Sequence, residues 1–247
     1  MNPLFKFYAW QRTVMTWIAI PLAIYAISLL VAGTVSAWWL VGYFIVYQLS
    51  MIALSVGNHR LFSHRAFKCN RLWHWFFASL TTAFGNGSTF QWITIHIGHH
   101  MHSDTPLDPH TVTYMQFFKL RAKNINFKVP HAKWALRDPI HRITHRYAIF
   151  FVLGVAALAA LISTNVFLFC YALPLAHHII TGNLFYLYSH NSEHAVDRPW
   201  MSLLFPFAGE WNHRVHHVRG MEKLLNNAQL PSQFDPGYWF IKLIQQK

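Results

Sequence analysis

Thr13 to Gly33 is a run of 21 residues without a charge, and Trp38 to Val56 is another of 19. Wound as helices, such runs reach about 30 Å, the thickness of a bilayer's hydrocarbon core. Only the uncharged link Thr34 to Ala37 separates them, so they read as a helical hairpin. Tyr147 to Ser163 and Val166 to Tyr188 repeat the arrangement with Thr164 and Asn165 between the arms. Pro21 is compatible with a membrane helix, where neighbours satisfy the freed carbonyl. Trp73 to Ile95 is apolar too, but Asn86, Gln91 and the Gly85/Gly87 pair interrupt it, which predicts a partly buried or interfacial helix.

The expected fold is therefore an all-α integral-membrane protein with four transmembrane helices in two hairpins (13–33, 38–56, 147–163 and 166–188), an interfacial helix near 73–95 and a histidine-rich cytosolic cap. No linker-like stretch divides the chain, so residues 1–247 read as one domain. Composition agrees: 54% of residues are hydrophobic and 11% charged, against roughly 25% charged in soluble domains. A cleaved signal peptide is the competing reading of the first run, since Lys6 and Arg12 precede it and Val35-Ser36-Ala37 resembles a cleavage site. The run is longer than a signal core, and its removal would leave the second span unpaired.

The net charge of +12 would suggest nucleic acid in a soluble protein, but its distribution points to a membrane. All 20 Lys and Arg lie before Thr13, between Val56 and Tyr147, or after Tyr188, and all eight Asp and Glu share those regions. The positive-inside rule then places both termini and the charged face in the cytosol. The basic segment Lys119 to Arg146 reads as a topology anchor or a headgroup site. Cys69 and Cys170 form neither a disulfide framework nor a CxxC site.

Eighteen histidines are the other anomaly, and their spacing carries the argument. His59 and His64 form an HxxxxH pair just past the second run. His96, His99 and His100 stand at i, i+3 and i+4, one face of a helix, and His213, His216 and His217 repeat that HxxHH spacing. His190 and His194 follow the fourth run at i and i+4. All these groups sit at one end of the apolar segments and would converge when those bundle. Imidazole suits Fe, Zn, Cu and Ni, and the nitrogens number about twice what one six-coordinate ion uses, which indicates two ions. Ligand imidazoles need their second nitrogen fixed, and Asp104, Asp108, Glu193 and Glu210 lie close enough in sequence to do so. His74, His131, His141 and His145 read as interfacial polar residues, and His177 and His178, inside a span, are left without a role.

NHRLFSHRAF (58–67), HIGHHMHSDTPLDPH (96–110), GEWNHRVHH (209–217) and QFDPGYWFIKLI (233–244) resemble the membrane fatty-acid desaturase family, especially bacterial forms of the stearoyl-CoA type. The resemblance covers most of the chain beyond the first span. It implies a non-haem di-iron centre with two Fe(II) ions, ligated by His59, His64, His96, His99, His100, His194, His213, His216 and His217. The family's Asn four residues before the last single histidine is here His190, a further candidate ligand. The implied activity is O2-dependent introduction of a cis double bond, at Δ9 in the stearoyl type, into a fatty acyl chain linked to lipid, CoA or acyl carrier protein. Thr94, Ile95 and Ile97 replace the Arg-Asp and Arg usual in acyl-CoA members, which weakens a CoA reading. No cytochrome b5-like extension follows, so electrons are expected from a separate ferredoxin, rubredoxin or cytochrome b5. Trp92 and Asn183 are expected to line a bent acyl tunnel.

The same boxes serve membrane hydroxylases and monooxygenases, which insert oxygen instead. A metal transporter or a membrane cytochrome is the non-enzyme alternative. Haem ligands would face each other within the spans, and a transporter would carry polar residues along several of them, whereas these runs are nearly bare of both.

Overall fold

A computed structural model of the protein describes residues 3–105, 107–108, 130–190, 194–218, 225–228, 230–231 and 233–246, with backbone alone for 3–10 and 130–131. Among the described residues the regular structure is helical, apart from one bridge between His190 and Ala195. Helix α1 (Pro3–Val31) runs on through Pro21. Ala19, Ala23 and Ala26 form its buried face, while Ile18, Ile24 and Ile27 point outward. Small residues on the packed side let the backbones approach closely, as membrane helices require where lipid removes the usual hydrophobic drive.

Helix α2 (Trp39–Ser63) is α-helical to Ile52 and then winds as a π-helix over Ala53–Ser63. Helix α7 (Thr164–Tyr188) carries a shorter π-turn at Leu168–Ala172. At 25 residues each, both exceed the hydrocarbon thickness. Among the described residues three helices are long and apolar enough to cross a membrane, Gln11–Val31 within α1, α2 and α7. The third expected span differs. Ser163 is extended and caps α7 by accepting from Val166 N–H at 3.1 Å, which leaves α6 (Ala148–Ile162) only 15 residues. It crosses only if taken with α5 (Pro139–Arg146), from which it bends by 72° at Tyr147. Helices α1 and α2 both pack on α7.

The single helix expected over 73–95 is two helices, α3 (Arg71–Ala83) and α4 (Thr89–His102). Gly85 and Gly87 adopt φ of +80° and +70°, which side-chain-bearing residues resist, and so the helix stops. Ser88 restarts it with a capping box: its Oγ accepts from Gln91 N–H, and the Gln91 side chain accepts from Ser88 N–H. The burial expected there is found in α4. Residues Thr89 to His96 are all buried, walled by α2, α5 and a 3₁₀ turn at Pro130–Arg137.

Two short helices complete the fold, α8 (Arg214–Val218) and α9 (Pro236–Ile244). Arg60, 1% exposed, ties the loop before α8 and the cap of α9 to α2. Its Nη2 donates to Glu210 Oε1 at 3.1 Å, its Nη1 contacts Asp235 Oδ2 at 3.0 Å, and it also donates to the carbonyls of Ala208 and Leu225. Asp235 meanwhile caps α9 through Tyr238 N–H. Removing one partner of such a buried set strands the others. Arg60→Ala is expected to cost about 3–5 kcal/mol, read as a lowered unfolding midpoint in detergent; an unchanged midpoint would contradict this account.

Candidate metal centre

The π-winding of α2 turns His59 and His64 to one side. In an α-helix, residues five apart point roughly 140° away from each other. Here His64 N–H bonds His59 O at 3.0 Å, and the i→i+5 pattern brings the two rings together. Helix α4 supplies His96, His99 and His100 from its last turns. His190 stands two residues past α7. His213 precedes α8, and His216 and His217 lie on it.

These nine histidines form two groups, His59, His64, His96, His100 and His216 in one, and His99, His190, His213 and His217 in the other. Within each group one nitrogen per ring lies within 4.8 Å of all the rest. The closest Nε2–Nε2 separations in the first group are 3.1 Å for His59–His216, 2.9 Å for His216–His100, 3.1 Å for His100–His96 and 2.8 Å for His96–His64. In the second they are 3.1 Å for His99–His217 and 3.0 Å for His190–His213. Two nitrogens about 2.1 Å from one ion and at right angles would be roughly 3.0 Å apart. Each group can hold a metal ion, and the all-imidazole donor set fits a first-row transition metal.

The two HxxHH boxes divide in opposite senses. His96 and His100 enter the first group and His99 the second, whereas His213 and His217 enter the second and His216 the first. Each box therefore braces both groups. His194, expected beside them, is exposed and stands outside both groups, and His190 is the histidine that the fold brings in.

Carboxylates fix the ring orientation. Glu210 Oε2 lies 2.7 Å from His59 Nδ1, Asp108 Oδ1 2.8 Å from His99 Nδ1, and Asp104 Oδ1 2.9 Å from His190 Nδ1. A carboxylate can only accept there, so Nδ1 carries the proton and Nε2 turns its lone pair toward the group. Three of the four acids expected from sequence thus stand behind ligand-type rings, and Glu193 lies outside the described residues. Burial, helped by neighbouring imidazoles, pushes His96, His213 and His216 well below the ordinary histidine range, favouring the neutral, ligating form. Burial would raise the Glu210 carboxyl, but His59 and Arg60 outweigh it and hold it down at about 2.

A narrow cavity is lined by His59, His96, His99, His190 and His213 and also by Gly85 and Asn86. Trp92 is among its lining residues. Asn183 instead accepts from Arg12 Nη2 at 3.0 Å, and it is Arg12 that faces the cavity. Sequence reading passed over Arg12 as a flank, and only the packing of α1 on α7 brings it inward. His178 closes the far end, bonded to Asn86 at 2.8 Å and to Ser50 Oγ at 3.0 Å, while His177 is stacked on Tyr47. Neither reaches the metal groups. His141 and His145 are not interfacial but bond Thr89 Oγ1 and Ser88 Oγ, fastening α5 to the start of α4. His74 packs against Phe62, and the His131 side chain lies outside the described residues.

No protein-family model matches the chain. Among curated proteins it is 39% identical over 90 residues to the hex-5-enoyl-[acyl-carrier protein] acetylenase of Moorena producens, covering 32% of this chain and 28% of that one. It is 27% identical over 210 residues to the delta(9)-fatty-acid desaturase fat-5 of Caenorhabditis elegans, covering 73% and 62%. With the stearoyl-CoA desaturase of Homo sapiens it shares 30% over 112 residues, covering 45% and 30%. The chain is thus similar in sequence to fatty-acid desaturases. It spans less than two thirds of the length of each of these relatives. In this desaturase-like chain the carboxylates behind the rings give a direct test of the metal groups. Asp108→Asn, which leaves the His99 ring without a charged acceptor, is expected to weaken affinity for an added divalent transition metal about 10–100-fold by competition titration; unchanged affinity would remove Asp108 from the site.

Proposed function

We propose that this protein is an integral-membrane, O2-dependent fatty acyl desaturase whose nine converging histidines hold two iron ions. The observation that carries the reading is the placement of two all-imidazole groups at the end of a largely apolar cavity among membrane-type helices. Abstracting hydrogen from an unactivated methylene pair is beyond any side-chain acid or base, so a redox metal is needed. Bound at the two groups, iron would supply that oxidising chemistry with O2. Overall, a –CH2–CH2– segment, O2, two electrons and two protons become –CH=CH– and two waters.

The chain's own residues contribute geometry. His59, His64, His96, His100 and His216 would hold one ion, and His99, His190, His213 and His217 the other. Glu210, Asp108 and Asp104 keep those rings in the ligating tautomer. Leu54, Trp92, Phe185 and Phe207 wall the cavity beside the histidines, where they would orient the acyl chain and exclude water. The cis geometry and a Δ9 position follow from the stearoyl-type resemblance. The two electrons would come from a separate ferredoxin, rubredoxin or cytochrome b5, and the acyl group would be carried on lipid, CoA or acyl carrier protein. The distribution of Lys and Arg supports a cytosolic site with both termini on that side.

Expression in a host lacking unsaturated lipids tests the activity. Loss of two hydrogens per acyl chain is expected, whereas gain of one oxygen would assign the protein to the hydroxylases. His216→Ala is expected to lose both iron and product while the protein stays in the membrane fraction, and sustained turnover would count against the ligand set. Geometry also separates two neighbours: His190→Ala is expected to lose iron, and His194→Ala to retain it.

A further inference from the structure

We propose that the acyl chain leaves the metal-side cavity past Gly85 and beneath Met15, that its methyl end lies in the apolar groove between α1, α6 and α7, and that Met15 sets the longest chain accepted. The inference takes the identity of the occupant from the desaturase reading; the path itself rests on packing.

Two spaces meet at this point. The metal-side cavity ends on Phe84, Gly85 and Ile179. On the other side of that wall lies a groove of about 200 Å³, lined by Met15, Ile18, Leu153, Tyr171 and Leu175. It opens outward, where Ile18 and Leu153 are each more than half exposed. The partition is thin. A β-carbon on Gly85 would lie 3.1 Å from Met15 Cε, 3.3 Å from its Sδ and 3.8 Å from Leu175 Cδ1, so the tip of Met15 rests directly on the glycine.

The alternative path, straight on, is closed. There Asn86 bonds His178 at 2.8 Å, and His178 bonds Ser50 at 3.0 Å, all three side chains being buried. An alkyl chain cannot replace those bonds, so forcing through would leave buried polar groups unsatisfied. Met15 offers the opposite. Its side chain is unbranched and adaptable, and an alkyl chain that displaces it gives up apolar contacts for others and breaks one weak bond, that donated by Gln11 Nε2 to the Met15 sulfur at 3.9 Å. A chain running down from the histidines is thus turned away by the polar floor and released at Gly85. The bend in the path comes from that contrast.

The test is the length profile of unsaturated products from wild type, Met15→Ala, Met15→Phe and Met15→Leu, supplied with saturated acids of graded length. Met15→Ala is expected to raise the ratio of longer to shorter products by roughly fourfold for each further methylene accommodated. Met15→Phe is expected to shift it the other way, and Met15→Leu, of similar volume, to leave it near wild type. Identical profiles from all four proteins would overturn the proposal. A second measurement is independent of turnover: a saturated fatty acid bearing a diazirine at its methyl end, photolysed with the membrane-embedded protein. Label on peptides containing Met15, Ile18 or Leu153 supports the groove, even if no unsaturated product forms and the desaturase reading fails. Label confined to peptides containing Ser50, Asn86 or His178 overturns it.

Discussion

A guanidinium with almost no exposed surface sits between two equally hidden carboxylates, and the placement of the histidines depends on it. Burying three charges costs several kcal/mol per ion, and only dense mutual bonding offsets that. Arg60 achieves it with Glu210, Asp235 and two backbone carbonyls. Four stretches of chain are fixed at once: the end of α2, the loop at Ala208 to Glu210, the strand of chain at Leu225, and the cap of α9. Glu210 then turns its other oxygen to His59 and accepts from Ser55. The lock that closes the fold and the clamp that orients a ligand-type ring are the same carboxylate. A shift in one is necessarily a shift in the other.

The helical backbone does the rest by departing from regularity where the histidines need it. An HxxxxH pair is misaligned on an α-helix, and the π-winding of α2 corrects it. An HxxHH box on an ordinary helix presents three rings in an arc, and two such arcs facing each other with opposite division give two centres. This arrangement demands that α4 end close to α8. The capping box at Ser88 and the left-handed glycines before it set where α4 begins, and so set the height of its last turn.

Much of this was legible in the amino-acid order, for physical reasons that differ by element. Charge-free runs announced α1, α2 and α7 because lipid tolerates nothing else. The HxxHH boxes announced themselves because i, i+3, i+4 spacing is local geometry. The acids at 104, 108 and 210 were suggested by proximity alone, and the fold places each behind a ring. What failed was whatever depended on packing between distant segments. The interruption at Asn86 and Gly85/Gly87 was visible, but it softens one helix in a sequence reading and ends it in the structure. The choice of His190 over His194 depends on Asp104, 86 residues away in the chain. Arg12 belonged to a flank until α7 packed against it, and His141 and His145 passed for interfacial residues until their hydroxyl partners at the head of α4 came into contact.

Electrostatics links these pieces under the proposed reading. Imidazole ligands are neutral, so two divalent ions would bring four positive charges into a buried layer without a single charged ligand. Glu210, Asp108 and Asp104 stand immediately behind the rings and supply three negative charges, while Arg60 takes up part of one of them. The remaining positive field would meet Glu210 in the cavity wall as well as Trp92, Phe185 and Phe207. At the far end Asn86 and His178 close the floor, where under the proposed path they would turn the chain rather than hold it, and Arg12 adds a guanidinium to the same walls.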